Sequence, residues 1–384
     1  MNIANGGTNQ FLRFFNSTGN SRLVCIQTDE DFILPDKNWF KDGASTFSTG
    51  CSVVNIPDAN FKRALVENRT INTNGDSEIQ FFEANNYAGI IDVNSLGIED
   101  LTGIEAFTKI RELNCDSNNL TTLDVSQNIA LVRLACNINN LSFLDVSNNT
   151  ELQVLSCGAN QLTALDVSEN LKLEELYAYE NKLSTIDTRP LNFLKSLWVG
   201  DNQLSAIDVS QNNLLATLLC DKNQLSSLFL SNNIALKSLL ANANRLTELF
   251  LNNGNNEILT EVDVTDNLLD CIPIDADFTA PTTWKKDDTA QFGSDCLPVY
   301  IPNANFKRAL VDNTDINSNG DEEIQIREAE AYTSEINVSS LGIDDLTGIE
   351  AFINITELNC DFNQLTSLNV AENRLLKNFV ILPT

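Results

Sequence analysis

The feature that most constrains this chain is a 21-residue repeat with the pattern L-x-x-L-x-C-x-x-N-x-L-x-x-L-D-V-S-x-N-x-x. We call each copy a rung, and every rung has an asparagine at its ninth position. Eight rungs begin at Ile110, Leu131, Leu152, Leu173, Leu194, Leu215, Leu236 and, after a two-residue slip, Leu259. A rung this short cannot bury its own apolar residues, so the rungs must stack on one another in an elongated array.

Each rung predicts a short strand, because alternate apolar residues such as Leu113 and Cys115 would point into a shared interior. The ninth-position asparagine is expected to bond backbone carbonyls and amides that the following turn leaves unpaired. These residues are Asn118, Asn139, Asn160, Asn181, Asn202, Asn223, Asn244 and Asn267. The second half of the rung, Leu123-Asp124-Val125-Ser126, mimics the first, so we expect an extended opposite wall without a helix.

A second, longer repeat has a period of 245 residues. The segment 56–65 returns at 301–310 with one substitution, and 101–107 returns unchanged at 346–352. We therefore expect the end of one module, one complete module and the start of another, in either a fragment of a longer tandem protein or a truncated reading frame. The predicted domains are a tail with the last repeat and C-cap of a preceding module at 1–51, a helical N-cap with a degenerate first repeat at 56–109, the array at 110–272, a C-cap at 273–297, a second helical N-cap at 301–354 and the start of a truncated second array at 355–384.

The nine cysteines fall into two groups. One group shares an inward rung position, where a small apolar side chain is expected and a reactive or metal-binding role is the less favoured alternative. Its members are Cys115, Cys136, Cys157, Cys220 and Cys360. The other four frame the tail segments, and we predict the disulfides Cys25–Cys51 and Cys271–Cys296. Such bonds would staple the ends of an open array and would indicate an oxidising, extracytoplasmic location.

Before each array the pattern predicts a helix that starts at Pro57-Asp58 and a loop with the oxygen spacing of a calcium site. Alternate side chains of such a loop converge on one hard cation, and a final glutamate gives two oxygens. The candidate ligands are Asn72, Asn74, Asp76, Glu78, Gln80 and Glu83, and in the later copy Asn317, Asn319, Asp321, Glu323, Gln325 and Glu328. The loop departs from a functional calcium loop in two ways: position one is asparagine, and Ser77 or Glu322 stands where glycine is usual. A purely structural helical hairpin is therefore the alternative.

The array resembles the leucine-rich repeat family in its short, 21-residue form. The cap, with Leu96-Gly97-Ile98-Glu99-Asp100-Leu101-Thr102-Gly103-Ile104 after it, resembles the EF-hand-like cap of internalin-type bacterial surface proteins. The resemblance implies a repeat solenoid, mostly strand and loop: a right-handed stack of short parallel strands with helical N-caps and disulfide-stapled C-caps. It also implies a secreted or surface-anchored protein that mediates adhesion, with the concave sheet face as the usual docking surface.

The fifth residue of each rung would face outward from its strand, and four consecutive rungs place apolar side chains there. The predicted binding stripe is Tyr177, Trp198, Leu219 and Leu240, with Tyr179 beside it. A contiguous exposed row of this kind is typical of an interface hot spot or of a surface that stacks on sugars. The alternative is cross-strand packing that only stiffens the sheet.

On the opposite wall one rung position holds a row of aspartates. The row consists of Asp124, Asp145, Asp166, Asp187 and Asp208. Mutual repulsion would raise their proton affinity or recruit cations, and the alternative is a solvated face whose oxygens bond nearby turns.

Composition narrows the function classes. The 24 Lys and Arg against 53 Asp and Glu give a net charge of −29, which argues against nucleic acid or an anionic membrane surface as partner. The absence of histidine excludes Ser–His–Asp and Cys–His catalysis, and no nucleophile or phosphate-loop motif is present, so we do not expect an enzyme. No apolar run has the length of a membrane span, and any export signal is expected outside these residues.

We therefore predict an extracellular or cell-surface module that docks a protein or glycan ligand on its array, with calcium as a structural cofactor of the caps and without membrane insertion. The alternative function is a structural spacer that has no ligand of its own.

Overall fold

The computed structural model describes residues 15–20, 25–28, 39–42, 46–48 and 52–380. Two compact units divide the chain: Met1–Leu225 with Ala235–Asn244, and Ser226–Ile234 with Arg245–Thr384. None of the helices in the described residues has the length and apolar content that a membrane crossing requires.

Short strands and short helices make up the described residues. In chain order the strands are β1 (Phe15–Asn16), β2 (Cys25–Gln27), β3 (Trp39–Phe40), β4 (Thr46–Ser48), β5 (Ile90–Asp92), β6 (Glu112–Asn114), β7 (Arg133–Ala135), β8 (Val154–Ser156), β9 (Glu175–Tyr177), β10 (Ser196–Trp198), β11 (Thr217–Leu219), β12 (Ser227–Phe229), β13 (Ser238–Leu240), β14 (Glu248–Phe250), β15 (Glu261–Asp263), β16 (Cys271–Pro273), β17 (Gln291–Gly293), β18 (Glu335–Asn337), β19 (Glu357–Asn359) and β20 (Asn378–Val380). The helices are α1 (Ala59–Glu67), α2 (Phe81–Asn86), α3 (Ala304–Val311) and α4 (Ile326–Ala331), and 3-10 turns lie at Ile104–Ala106, Asn256–Ile258, Ser294–Cys296 and Ile349–Ala351.

The first unit is a stack of parallel strands in which β6 to β11 and β13 each contribute one layer. Each strand residue pairs with its equivalent 21 residues later, as Leu113 does with Leu134. The middle residue of each of these strands is a fully buried leucine, and the sixth-position residue, such as Cys115 or Cys136, is buried with it. The predicted strand phase and the predicted inward positions are therefore confirmed.

The ninth-position asparagines form a ladder of hydrogen bonds between rungs. Asn139 Nδ2 donates to Cys115 O, Cys136 O and Asn137 O at 3.0, 3.2 and 3.1 Å. Its Oδ1 accepts from Leu120 N at 3.0 Å. This confirms the expectation that the asparagine satisfies backbone groups which no strand partner reaches.

The opposite wall is extended, as predicted. Residues 110–255, all of which the structure describes, form strands and turns and contain no helix. Asp124 and Asp145 form a parallel bridge in the first unit, and β12 pairs in parallel with β14 in the second. A second asparagine row supports this wall, since Asn149 Nδ2 donates to Val125 O and Asn128 O at 3.0 Å each.

Each array is preceded by a helical cap. Asp58 caps α1, because its Oδ1 accepts from Asn60 N and Phe61 N at 2.9 Å, and Phe61 is fully buried. Asn303 caps α3 in the same way in the second copy. Gly103, at the 3-10 turn behind the first cap, has φ +105°, which favours glycine.

The C-cap pairs β16 with β17 in parallel and joins Cys271 to Cys296 by a disulfide, as predicted. Trp284 is buried there against Phe292, with 5.4 Å between ring centroids. The described residues near the start of the chain contain a similar strand pair, since β2 pairs in parallel with β4. The predicted partner of Cys25, Cys51, lies outside the described residues, and that disulfide stays a prediction.

Candidate functional site

The candidate site is the sheet-face patch, which we define as Tyr177, Tyr179, Trp198, Leu219 and Leu240 of the first unit. Trp198 pairs with Tyr177 on one side and with Leu219 on the other, and Leu219 pairs with Leu240. These side chains alternate with buried leucines along their strands, so they lie on the outward face of the sheet. Trp198 is 36% exposed and the other four are half-buried. The structure thus brings the five residues together, and partner binding by them stays a prediction.

Aromatic contacts and one hydrogen bond hold the rings of the patch. The centroids of Tyr177 and Trp198 are 4.9 Å apart with planes at 83°, an edge-to-face pair, and Tyr179 lies 6.5 Å from Trp198. The Tyr177 hydroxyl donates to Glu175 Oε2 at 2.7 Å. Burial and this hydrogen bond raise the pKa of Tyr177, and burial raises the pKa of Tyr179. Both rings therefore present neutral hydroxyls at neutral pH, and held rings lose little conformational entropy when a partner binds.

Two glycines at the seventh rung position shape the space around these rings, and sequence reasoning missed both. Gly158 lies under Tyr179, because a Cβ atom there would be 2.6 Å from the Tyr179 ring. Gly200 lies one rung beyond Tyr179, and a Cβ atom there would be 2.5 Å from Asp221 Oδ1. Neither contact involves backbone. A comparison of the seventh residues along the rungs could have found them, because glycine stands at two rungs where most others have a polar side chain such as Asn137.

The missing side chain at Gly200 leaves a recess of about 210 Å³ in the sheet face. We call it the Gly200 recess, and its lining residues are Tyr179, Glu180, Trp198, Gly200, Asp201, Leu219, Asp221 and Lys222. Three of these carry carboxylates and one carries an ammonium, whose Nζ lies 3.5 Å from Asp201 Oδ2. The recess therefore combines aromatic walls with a negative net charge.

The sheet face has a different character in the earlier rungs. The fifth-position residues there are Asn114, Ala135 and Ser156. At the seventh position Asp116 Oδ1 accepts from Asn137 N at 2.6 Å, and Asn137 Oδ1 accepts from Gly158 N at 2.7 Å. Polar side chains on this stretch are thus used within the sheet, and the sheet-face patch stands out as its apolar continuation.

The aspartate row on the opposite wall bonds its own turns. Asp145 Oδ1 accepts from Ser147 N, and Asp166 Oδ1 accepts from Ser168 N, both at 2.9 Å. These backbone bonds lower the pKa of both carboxyls. The rise in proton affinity that repulsion would cause is not found, because the backbone amide of each turn stabilises the charged form. The hypothesis that the oxygens bond nearby turns is the one that the structure supports.

The predicted calcium loop of the first cap is closed by hydrogen bonds among its own residues. Glu83 accepts at Oε1 from Thr73 N and Asn74 N, at 2.8 and 3.2 Å, and at Oε2 from Gln80 N at 3.1 Å. Asn74 Nδ2 donates to Asp76 Oδ2 at 2.9 Å and to Gln80 Oε1 at 2.6 Å. An amide nitrogen thus lies between oxygens that would otherwise face a cation.

The two remaining candidate ligands of this loop also have other partners. Asn72 Nδ2 donates to Val66 O and Asp76 O, at 2.9 and 2.8 Å. Glu78 accepts from Lys62 Nζ at 2.6 Å. The loop is therefore tied to α1 at both of these side chains, and Asn72 Oδ1 accepts from Gly75 N at 2.9 Å.

The second cap repeats the arrangement at every candidate position. Asn319 Nδ2 donates to Asp321 Oδ2 and Gln325 Oε1 at 2.8 and 3.0 Å, and Glu328 Oε1 accepts from Asn319 N at 3.2 Å. Asn317 Nδ2 donates to Asp321 O at 2.7 Å, and Glu323 forms an ion pair with Lys307.

In this arrangement the cap loops do not fit a calcium ion, because their oxygens accept hydrogen bonds and an amide nitrogen points inward. Across residues 52–380 and the shorter described segments, no three Asp, Glu or Cys side chains converge as a metal-binding group does. Calcium binding would require the loops to rearrange, and it stays a prediction.

The inward cysteines of the array are free and buried. Cys115 Sγ donates to Ala135 O at 3.3 Å. Burial raises the pKa of Cys157 to about 12 and that of Cys136 well above its ordinary value. These thiols act as small apolar side chains, as the sequence predicts.

No family model and no curated protein sequence matches this chain. Among solved structures it is similar to the functional domain of InlJ from Listeria monocytogenes, described as including a cysteine ladder, with 26% identity over 86% of this chain and 78% of that chain and a TM-score of 0.46. It is also similar to the internalin InlF of the same organism, with 19% identity over 84% and 95% of the two chains and a TM-score of 0.47. A further neighbour is YopM, a leucine-rich effector protein from Yersinia pestis, with 20% identity, 76% of each chain covered and a TM-score of 0.42.

The 21-residue rungs, their parallel strand stack and the asparagine ladder decide the fold. This chain folds as a leucine-rich repeat solenoid. The leucine-rich repeat array carries the sheet-face patch on rungs four to seven, and a helical cap precedes its first rung.

Proposed function

We propose that this chain is a secreted or cell-surface adhesion module that docks a protein partner on the sheet-face patch. The supporting observation is the patch itself: three aromatic and two leucine side chains, contiguous over four strands, where the equivalent fifth positions of the earlier rungs are Asn114, Ala135 and Ser156. Tyrosine and tryptophan carry most of the energy of many protein interfaces. The net charge of −29 favours a partner with a basic surface.

The proposed location rests on the C-cap. A disulfide such as Cys271–Cys296 persists in oxidising compartments and is rare in reducing ones. Secretion or surface display therefore accounts for it better than a cytosolic location does.

Capture of cell-surface proteins by the immobilised full chain tests the docking proposal. The double variant Tyr177→Ala/Trp198→Ala is expected to weaken partner binding by about 30-fold or more, since a hot-spot residue contributes about 2 kcal/mol or more. Phe143→Ala is the matched control, because Phe143 is 70% exposed and lies outside the patch. Circular dichroism checks that each variant is folded.

Two other outcomes would replace the proposal. Equal partner retention by the double variant would move the interface away from the patch. Binding on a glycan array that depends on Trp198 would make the ligand a sugar, whereas the absence of any retained ligand in both experiments would favour the structural spacer.

For the caps, the spacing of the candidate ligands supports calcium binding, whereas the hydrogen bonds within the loops oppose it. The hydrogen-bonded loops predict the same melting temperature in calcium and in excess chelator, and a higher value in calcium would support bound ions. Asn74→Asp provides the positive control. It places a carboxylate beside Asp76, and their repulsion makes a neutralising cation favourable. The melting temperature of this variant should rise with calcium, while that of Asn140→Asp, at an exposed array position, should not.

A further inference from the structure

We propose that the Gly200 recess binds the guanidinium group of an arginine on the partner protein. The inference rests on the proposed docking function, since it names the chemical group that the sheet-face patch would recognise.

The walls of the recess have the shape and electrostatics that a planar cation prefers. Trp198 and Tyr179 present aromatic surface to the recess, with 6.5 Å between their centroids, and Leu219 closes the side toward the next strand. A guanidinium over the face of a tryptophan or tyrosine is attracted by the quadrupole of the ring. The Tyr179 ring lies over Gly158, in space that a Cβ atom there would occupy, so this wall is present without a ligand.

The charged residues of the recess select a cation over an apolar side chain. Asp221 directs a carboxylate oxygen over Gly200, at the point where a Cβ atom would otherwise stand. Glu180 and Asp201 add two carboxylates at the rim, and Lys222 compensates for one of the three. A guanidinium can donate hydrogen bonds to Asp221 while it stacks on the rings, whereas an apolar side chain can make no charge-assisted hydrogen bond there.

Arginine fits this combination better than lysine does. Its guanidinium is planar, weakly hydrated and able to stack and to donate in the same plane, whereas an ammonium is a compact and strongly hydrated charge. The recess is open at the sheet surface and takes the end of one side chain, which is the form in which a protein partner presents an arginine.

The test is a titration of the full chain with N-acetyl-arginine amide, followed by the indole NMR signals of its three tryptophans. N-acetyl-citrulline amide is the matched probe, because it has nearly the shape of arginine without its charge, and N-acetyl-lysine amide is the second comparison. We expect the arginine probe to shift the Trp198 signal and to bind about tenfold more tightly than citrulline.

Three variants locate the binding. Gly200→Leu fills the recess and should abolish the shift; only the Asp221 side-chain tip has to move, so the variant is expected to fold. Asp221→Asn should weaken arginine binding about threefold to tenfold and should bring it closer to citrulline. Glu112→Gln, an equal change of charge on β6 of the first rung, should leave binding unchanged.

Equal binding of arginine and citrulline, or arginine binding that survives Gly200→Leu, would overturn the inference. Its failure can be told apart from failure of the docking proposal. If Gly200→Leu keeps full partner affinity while Tyr177→Ala/Trp198→Ala loses it, docking stands and the arginine site is wrong. If neither variant changes partner affinity, both are wrong.

Discussion

Replacement of Asn139 by alanine is expected to lower the free energy of unfolding by about 3 kcal/mol, mainly because it orphans one buried amide. Asn139 is 8% exposed and lies between the second and first rungs. Its three carbonyl acceptors each keep a second donor: Cys115 O accepts from Asn118 Nδ2, Cys136 O from Asn160 Nδ2, and Asn137 O from Ser117 N. The Leu120 amide accounts for the larger part of the loss, since Asn139 Oδ1 is its acceptor in the structure.

The magnitude follows from these partners. A buried donor left without an acceptor costs about 1 to 3 kcal/mol, and lost hydrogen bonds whose acceptors remain paired cost less each. Asn140→Ala is the control, because Asn140 is the next residue, is exposed, and should change stability by less than about 0.5 kcal/mol.

The assay is urea unfolding followed by far-ultraviolet circular dichroism, with midpoint and slope compared among wild type, Asn139→Ala and Asn140→Ala. A loss for Asn139→Ala as small as that for Asn140→Ala would refute the reasoning. It would mean that water or a small backbone shift can satisfy the Leu120 amide. The asparagine hydrogen bonds would then be a result of rung stacking and would not stabilise the stack.

Three further predictions concern other features. Gly103→Ala should cost about 1 to 3 kcal/mol, because its φ is +105° and the new Cβ would lie 2.7 Å from Ile56, whereas Gly254→Ala, with open space around it, should cost less in the same urea unfolding experiment. The double variant Cys271→Ala/Cys296→Ala should lose about 3.5 kcal/mol, the loop-closure value for a separation of 25 residues, and reductant should lower the melting temperature of wild type more than that of the variant. The pKa of Asp145 is lower in the folded chain, so its stabilisation is complete above the unfolded pKa of about 4 and is lost as the pH falls through the folded value. The melting temperature of wild type should therefore decrease when the pH falls below about 4, and that of Asp145→Asn should decrease less. An equal decrease in both proteins would contradict this.

Much of the fold could be predicted because each rung repeats the same physical requirement. An inward leucine, an inward cysteine and a ninth-position asparagine recur at fixed spacing, and their partners are backbone groups that stacking brings into reach. The disulfide Cys271–Cys296 could be predicted for a related reason, since its two cysteines frame a segment with little core of its own.

The details of the candidate site could not be predicted in the same way. The repeat period shows that Tyr179 and Gly200 share a sheet face, but it does not show which neighbouring residue the Tyr179 ring contacts. The level of the Tyr179 ring depends on the absent side chain of Gly158 in the rung before. In the cap loop, ligand spacing shows that oxygens lie close together and does not show that Asn74 turns its nitrogen toward them.

The buried cysteines allow the rate of local opening in the array to be measured by thiol labelling. With a pKa of about 12 at Cys157, almost no thiolate exists at neutral pH, and a thiol reagent can reach the sulfur only while its rung is transiently open. Cys115, Cys136, Cys157 and Cys220 lie on different rungs, so their separate labelling rates would report how opening is distributed along the solenoid. The protein thus carries natural probes for whether its ends fray before its middle.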